Sequence, residues 1–225
     1  MDEAGSQFYN RAIFSDRREA GKLLAKRVMD LNPKDALVLA IPRGGIVIGY
    51  EIAKSIDADL DIVVPRKLRD PWNEELAIGS VMPDGSMFLN ERVIALRPVP
   101  SDYIEKERDI QTKEAQRRLS AYRGERPYPE LKGRTVIIVD DGIATGSTME
   151  SASRWVKGQE ASRIIIAVPV MPEDIFYALK SKVDEVIYLA LPEMFFAIGQ
   201  FYQEFPQVSD SEVIETLNGY WSTKK

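Results

Sequence analysis

The run Val136-Ile137-Ile138-Val139-Asp140-Asp141-Gly142-Ile143-Ala144-Thr145-Gly146-Ser147-Thr148 sets two acids, two glycines and three hydroxyl side chains between an apolar stretch and a helical one. A helix start offers unpaired backbone N–H groups and the positive end of the dipole. With Gly146 permitting close approach and Thr145, Ser147 and Thr148 adding hydroxyl donors, the segment suits a phosphate monoester. No Lys follows Gly146, which separates the pattern from the nucleotide P-loop. Asp140 and Asp141 repel a phosphate unless they hold a cation or accept from sugar hydroxyls. A ligand carrying phosphate, polyol and Mg²⁺ reconciles the two halves. Taken alone, Asp140-Asp141-Gly142 is an ordinary turn after a strand; the Thr145-Gly146-Ser147-Thr148 that follows it favours a functional reading.

The rest of the composition narrows the chemistry. The chain has 225 residues with no Cys and no His, which excludes disulfides, Cys/His zinc sites, Cys nucleophiles and imidazole acid–base schemes. Reactions must run on carboxylates, Lys, Arg, hydroxyls and backbone. The balance of 30 Lys and Arg against 35 Asp and Glu, net −5, gives no global attraction to nucleic acid or to an anionic membrane, so an anion site must be local. Met1 to Arg18 lacks an apolar leader, and no run is long enough to span a membrane. With the missing Cys this suggests a cytoplasmic protein.

The elements that position the loop follow from periodicity. Ser15 can cap a helix with Ala20, Leu23, Leu24, Val28 and Leu31 on one face, stopped by Asn32-Pro33. Ala36 to Ile41 reads as a strand covered on both faces, followed by the tight loop Pro42-Arg43-Gly44-Gly45 and a helix to Ile56. Asp61 to Val64 is a second buried strand, and residues 77–82 and 86–89 read as a hairpin on Asp84-Gly85. Residues 101–122 form a charged helix with a solvated face. Thr135 to Val139, Arg163 to Val168 and Val183 to Leu189 are further strands, with helices from Ser147, over 172–181, and after a cap at Ser209 or Asp210. Alternating strands and helices predict one α/β domain, 1–225, with an open, mainly parallel sheet flanked by helices. Ligands of such sheets sit at the carboxyl ends of the strands.

The acidic loop resembles the phosphoribosyl pyrophosphate (PRPP) loop of type I phosphoribosyltransferases: an apolar strand, two acids, three residues, then Thr-Gly and a hydroxyl pair. Ile41-Pro42-Arg43-Gly44-Gly45 resembles that family's pyrophosphate loop, and the hairpin its flap. The combination with Glu75-Leu76-Ala77-Ile78-Gly79 and the Phe201-Tyr202 to Ser209-Asp210 tail is similar to a group of predicted phosphoribosyltransferases of unestablished acceptor. The resemblance implies a flap over about 66–100 and a hood from about 1–14 and 191–225. It places the ribose hydroxyls on Asp140 and Asp141, with Mg²⁺ carried mainly by PRPP. The 5′-phosphate falls on Ala144, Thr145, Gly146, Ser147 and Thr148, and the pyrophosphate on Arg43 and Gly44, where the family often has a non-proline cis peptide. Arg66 and Lys67 would neutralise the leaving pyrophosphate; by themselves they read as a solvated basic cluster.

The activity so implied is Mg²⁺-dependent transfer of the 5-phosphoribosyl group to a purine- or pyrimidine-type base, in nucleotide salvage, by a homodimer. No catalytic base is assigned: Ala144 stands where some purine members carry an acid, and Glu74 and Glu75 are weak candidates. The competing reading is a PRPP-sensing regulator without transferase activity; a regulator of RNA or DNA is disfavoured by the net charge, a protein partner is not. A PRPP-making kinase-like relative is disfavoured because the chain shows no ATP-binding half. The tail aromatics Phe195, Phe196, Phe201, Tyr202 and Phe205 either stack on an acceptor base or fill core or interface, and most of them read as core or interface.

Overall fold

The computed structural model describes residues 12–224, so most of the N-terminal hood segment expected over 1–14 lies outside the described residues. Helix α1 (Arg17–Asp30) begins one residue later than the Ser15 cap predicts, because Asp16 takes the cap and accepts the Glu19 N–H at 2.7 Å. Ser15 instead donates its N–H and hydroxyl to the Glu19 carboxylate, at 2.6 and 2.7 Å. Strand β1 (Ala36–Ala40), helix α2 (Gly45–Ser55) and strand β2 (Asp59–Ile62) follow. Next come β3 (Arg66–Asp70), β4 (Asn73–Val81) and β5 (Met87–Leu89), then α3 (Glu91–Leu96) and α4 (Ser101–Arg123). The last part runs β6 (Thr135–Val139), α5 (Ser147–Gly158), β7 (Arg163–Val170), α6 (Glu173–Lys180), β8 (Glu185–Ala190) and α7 (Asp210–Thr223).

Five strands form one parallel sheet in the order β2-β1-β6-β7-β8. Side chains of a strand alternate between faces, and here both faces are apolar. Val38, Ala40, Ile137 and Val139 pack with Leu24, Ile48, Ile52 and Leu217 from α1, α2 and α7. Leu37, Leu39, Val136 and Ile138 pack with Met149, Val156, Phe176 and Leu179 from α5 and α6. The chain leaves β1 toward β2 on one side and later returns as β6 on the other. The β1/β6 boundary is therefore the switch point at which loops diverge and leave a crevice.

The hairpin of the sequence reading is the outer part of a three-stranded antiparallel sheet, β3-β4-β5, with its own small core of Leu68, Ile78, Val81, Val99 and Ile104. Strand β3 gave little signal because in Arg66-Lys67-Leu68-Arg69-Asp70 only Leu68 is apolar. Gly79 is required there: a Cβ would lie 2.5 Å from the Phe88 carbonyl oxygen. The turn is anchored at its tip, where Trp155 Nε1 donates to Asp84 at 2.7 Å and Gln116 donates to the Pro83 carbonyl at 2.8 Å.

The charged helix α4 is solvated over much of its length, with Arg108 paired to Glu105 at 2.6 Å and Glu114 bridging Arg117 and Arg118 at 2.7 Å each. Its end is fixed differently. Arg123 donates from Nε and NH2 to the two oxygens of Asp61 in β2, at 2.7 and 2.9 Å, and to the carbonyls of Arg126 and Pro127. Both side chains are 5% exposed, and burial holds the Asp61 carboxyl above its ordinary range against the opposing pull of Arg123. Breaking one partner of a buried pair strands the other charge. Asp61→Ala is therefore expected to lower the unfolding free energy by about 3–5 kcal/mol in urea denaturation; a loss below about 1 kcal/mol would mean that the pair does not hold α4 to the sheet.

Candidate functional site

The two loops at the switch point start side by side, since the Ile41 N–H donates to the Val139 carbonyl at 2.9 Å. The first, Pro42 to Gly44, contains a cis peptide between Pro42 and Arg43. The second runs from Asp140 to Gly146, whose φ of 76° is the left-handed conformation that glycine adopts without strain. Helix α5 starts at once after it, so its first N–H groups face the loop together with the Thr145, Ser147 and Thr148 hydroxyls. Thr145 and Ser147 lie 3.0 Å apart, oxygen to oxygen.

A cavity of about 150 Å³ opens beside this loop, lined by Asp140, Gly142, Ala144, Thr145, Gly146 and Thr148, by Ile198, and by Lys67 from β3. Asp140 Oδ1 accepts the Asp141 N–H at 2.8 Å. Burial pushes the Asp140 carboxyl well above the ordinary carboxylate range, and the neighbouring Asp141 charge pushes it further. Among the described residues no group of three or more acidic side chains forms a metal cage. One carboxylate beside an anion cradle fits a Mg²⁺ that takes most of its ligands from phosphate oxygens and water.

The sequence-predicted residues do not all converge. Asp141 is buried and lies outside the cavity lining; its Oδ2 accepts from Arg17 Nε at 2.7 Å, and its carbonyl accepts the Tyr202 hydroxyl at 2.6 Å. Burial foremost, and the Asp141 charge, hold that tyrosine in its protonated form. Gly44 meets this carboxylate from the first loop. Arg43 approaches Asp210 at the start of α7, 3.6 Å away, and Asp210 also accepts the Tyr122 hydroxyl at 2.7 Å. Arg66 donates to Gln111 on α4 at 3.1 Å, whereas Lys67, next along the strand, faces the cavity. Glu74 is paired with Arg69 at 3.6 Å and is 82% exposed; the side chain of Glu75 lies outside the described part of the structure.

Arg17, Ile198, Tyr202 and Asp210 complete the surroundings of the loops; the last three fall within the hood expected over 191–225, and sequence reasoning gave Arg17 no role at the site. Arg17 left one usable signal: it occupies the first turn of a helix, where the dipole disfavours a cation. Of the aromatic tail, Phe201 and Tyr202 are buried and Phe195 packs on Phe201, while Phe196 is 80% exposed.

A doubly covered parallel sheet with loops diverging at its switch point defines the doubly wound α/β class, whose ligands sit in the crevice at the carboxyl ends of the strands. Within that class the chain belongs to the phosphoribosyl transferase domain family, whose model matches residues 12–201. It is 42% identical over 209 residues to the "Putative phosphoribosyl transferase Rv0571c" of Mycobacterium tuberculosis strain H37Rv, and equally to its counterpart MT0597 in strain CDC 1551. These alignments cover 92% of this chain and 46% of each relative, so the chain spans about half the length of the curated relatives it matches. The crystal structure of TT1426 from Thermus thermophilus superimposes with a TM-score of 0.81 at 38% identity, over 92% of this chain and 98% of that one.

A Cβ on Gly44 would sit 1.8 Å from Asp141 Oδ2, whereas one on Gly158, at the end of α5, meets nothing within 4 Å. Gly44→Ala is accordingly expected to cost about 1–3 kcal/mol of stability by forcing the two loops apart. Gly158→Ala is expected to be neutral or stabilising by up to about 1 kcal/mol. Parallel denaturation curves check this, and equal effects at the two positions would contradict the contact between the loops.

Proposed function

We propose that the protein transfers the 5-phosphoribosyl group of PRPP to a nitrogenous base of purine or pyrimidine type and releases pyrophosphate, with Mg²⁺ carried by PRPP. The observation that bears most weight is the cavity in which Asp140, Lys67 and the start of α5 face one another. An anion cradle, a carboxylate and a cation at that spacing match the phosphate, the hydroxyls and the leaving group of one ligand. Membership of the phosphoribosyl transferase domain family supports the same reading.

In this reading the N–H groups and hydroxyls of residues 144–148 hold the 5′-phosphate. Asp140 accepts from the ribose hydroxyls, and the backbone around Arg43 and Gly44 faces the pyrophosphate. The bond from C1 of the ribose to the pyrophosphate oxygen breaks with its electrons leaving on oxygen, C1 bonds to a ring nitrogen of the base, and the proton of that nitrogen passes to water or to the departing pyrophosphate. Positive charge builds on the sugar as this happens; in this reading the Asp140 carboxylate stabilises that charge and Lys67 the departing anion. Mg²⁺, when bound, neutralises pyrophosphate oxygens. Arg66, held by Gln111, acts on this site through the placement of β3. The enzyme works in nucleotide salvage in the cytoplasm as a homodimer, with exposed apolar side chains such as Trp72 and Leu96 for a second copy to cover.

Calorimetric titration with Mg²⁺ and PRPP, followed by pyrophosphate assay over a panel of bases, tests the proposal. Saturable binding with base-dependent pyrophosphate release is the expected result. Binding without turnover on any base would favour a PRPP sensor, and no binding would overturn the site. Asp140→Asn is expected to weaken binding roughly tenfold to hundredfold, the worth of hydrogen bonds to a charged group. The pH dependence has a definite sign. The ligand takes Asp140 as carboxylate, and burial has raised its pKa, so binding releases a proton and affinity falls on acidification at a pH above the ordinary carboxylate range. Titrations in buffers of different ionisation enthalpy read this release; proton uptake would contradict it.

A further inference from the structure

A second cavity, of about 410 Å³, lies between α4, α5 and the turn that joins β4 to β5, and it shares no lining residue with the cavity beside the acidic loop. Helix α5 passes both. Its start belongs to the acidic loop, and Trp155, about 12 Å further along the axis at the rise of a helix, lines the second cavity. Val63, Val64 and Met82, all buried, give this cavity apolar walls. Tyr128 and Trp155 add two aromatic ones, with ring centres 5.6 Å apart and planes at 83°. Both rings are held by their polar ends: the Tyr128 hydroxyl donates to the Ile62 carbonyl and Trp155 Nε1 donates to Asp84, at 2.7 Å each.

The polar groups around these walls define what can enter. Ser120 and Gln159 are exposed, and their side chains have no hydrogen-bond partner among the described residues. Gln116 donates its amide to the Pro83 carbonyl at 2.8 Å and keeps its side-chain oxygen for another donor. The one cation of the lining, Arg123, is spent on Asp61 and on the carbonyls of Arg126 and Pro127, and its guanidinium covers the Tyr128 ring at 4.6 Å. The one carboxylate is Asp84. A phosphate or carboxylate entering here finds no cation to compensate it and meets Asp84, so charge favours a neutral ligand. Two rings set nearly at right angles favour a flat one, which stacks on one ring and meets the other with its edge. The amides and the hydroxyl ask that this flat ring carry both donors and acceptors on its rim.

We propose that this pocket is a binding site for an uncharged purine base or its nucleoside, separate from the cavity of the acidic loop. The ring system lies against the Tyr128 and Trp155 corner, and its edge exchanges hydrogen bonds with Gln116, Ser120 and Gln159. Stacking supplies affinity because every base has an apolar face, and the fixed rings lose little freedom on binding. An occupant touches the hairpin turn, α4 and α5 at once. The inference goes beyond the transferase reading and does not depend on it.

The protein has three Trp residues, so the indole N–H signals of the ¹⁵N-labelled chain, with that of Trp155 identified by Trp155→Phe, read the site directly. Adenosine and inosine are expected to move the Trp155 signal saturably, with half-saturation at or below about 1 mM, and to leave those of Trp72 and Trp221 in place. No saturable shift with either nucleoside overturns the proposal. Ser120→Tyr sets a ring at the mouth from an exposed helix position and is expected to weaken the response at least about tenfold, with thermal melting to show that the variant is folded. Should it fail to fold, Gln159→Tyr takes its place. A response that persists undiminished in the folded variant puts the ligand elsewhere, and the proposal falls. Adenosine 5′-monophosphate carries the same ring with an anionic group and is expected to bind at least about threefold more weakly than adenosine; equal or tighter binding overturns the assignment to a neutral ligand. If PRPP neither binds nor turns over while the Trp155 response and its loss in Ser120→Tyr are found, the proposed function fails and this site stands.

Discussion

The parallel register of β1 with β6, Ala36 to Ala40 against Thr135 to Val139, is the constraint on which the site depends. These strands are about a hundred residues apart in the chain and belong to different crossover units. Their pairing brings Gly44 against Asp141 and Gly45 against Asp140. The pairing is apolar on both faces and buried throughout, so it is stable without contributions from the loops it carries. The loops are consequently free to be shaped for a ligand, with glycines at the closest approaches and a left-handed residue just ahead of α5.

Around that axis the remaining elements act as clamps on charge. Arg123 with Asp61 fixes the end of α4 to β2, Arg17 with Asp141 fixes the hood to the acidic loop, and Asp210 joins Arg43 to Tyr122. Each links segments far apart in sequence. The first two are buried, where a lone charge is costly, so they act on arrangement more than on net stability. The hairpin belongs to this scheme as well. Its turn is tied to α4 and α5, and the strand paired beside it, β3, carries Lys67 to the cavity while Arg66 binds α4.

Fold class, strand order along the chain and the place of residues 140–148 between a buried strand and a helix start were legible because each rests on local rules. Apolar runs of five residues give doubly covered strands, and Gly146 with a hydroxyl cluster at a helix start gives a cradle for phosphate. Strand β3 was not legible, since its two buried positions are Leu68 and the charged Asp70. Its place comes from antiparallel pairing with β4 and from Asp70, which accepts the N–H groups of Trp72 and Asn73 in the turn.

Residue types and local spacing alone limit the chemistry on offer: a chain without imidazole or thiol, with paired acids, glycines and hydroxyls after a buried strand. How those acids divide is settled by packing and by nothing nearer. Asp140 and Asp141 are adjacent and alike in sequence, but Asp140 lines the cavity with Lys67, whereas the Asp141 carboxylate pairs with Arg17, 124 residues away. No local pattern encodes that difference, because it arises from a charge pair formed only when the first helix packs against the sheet.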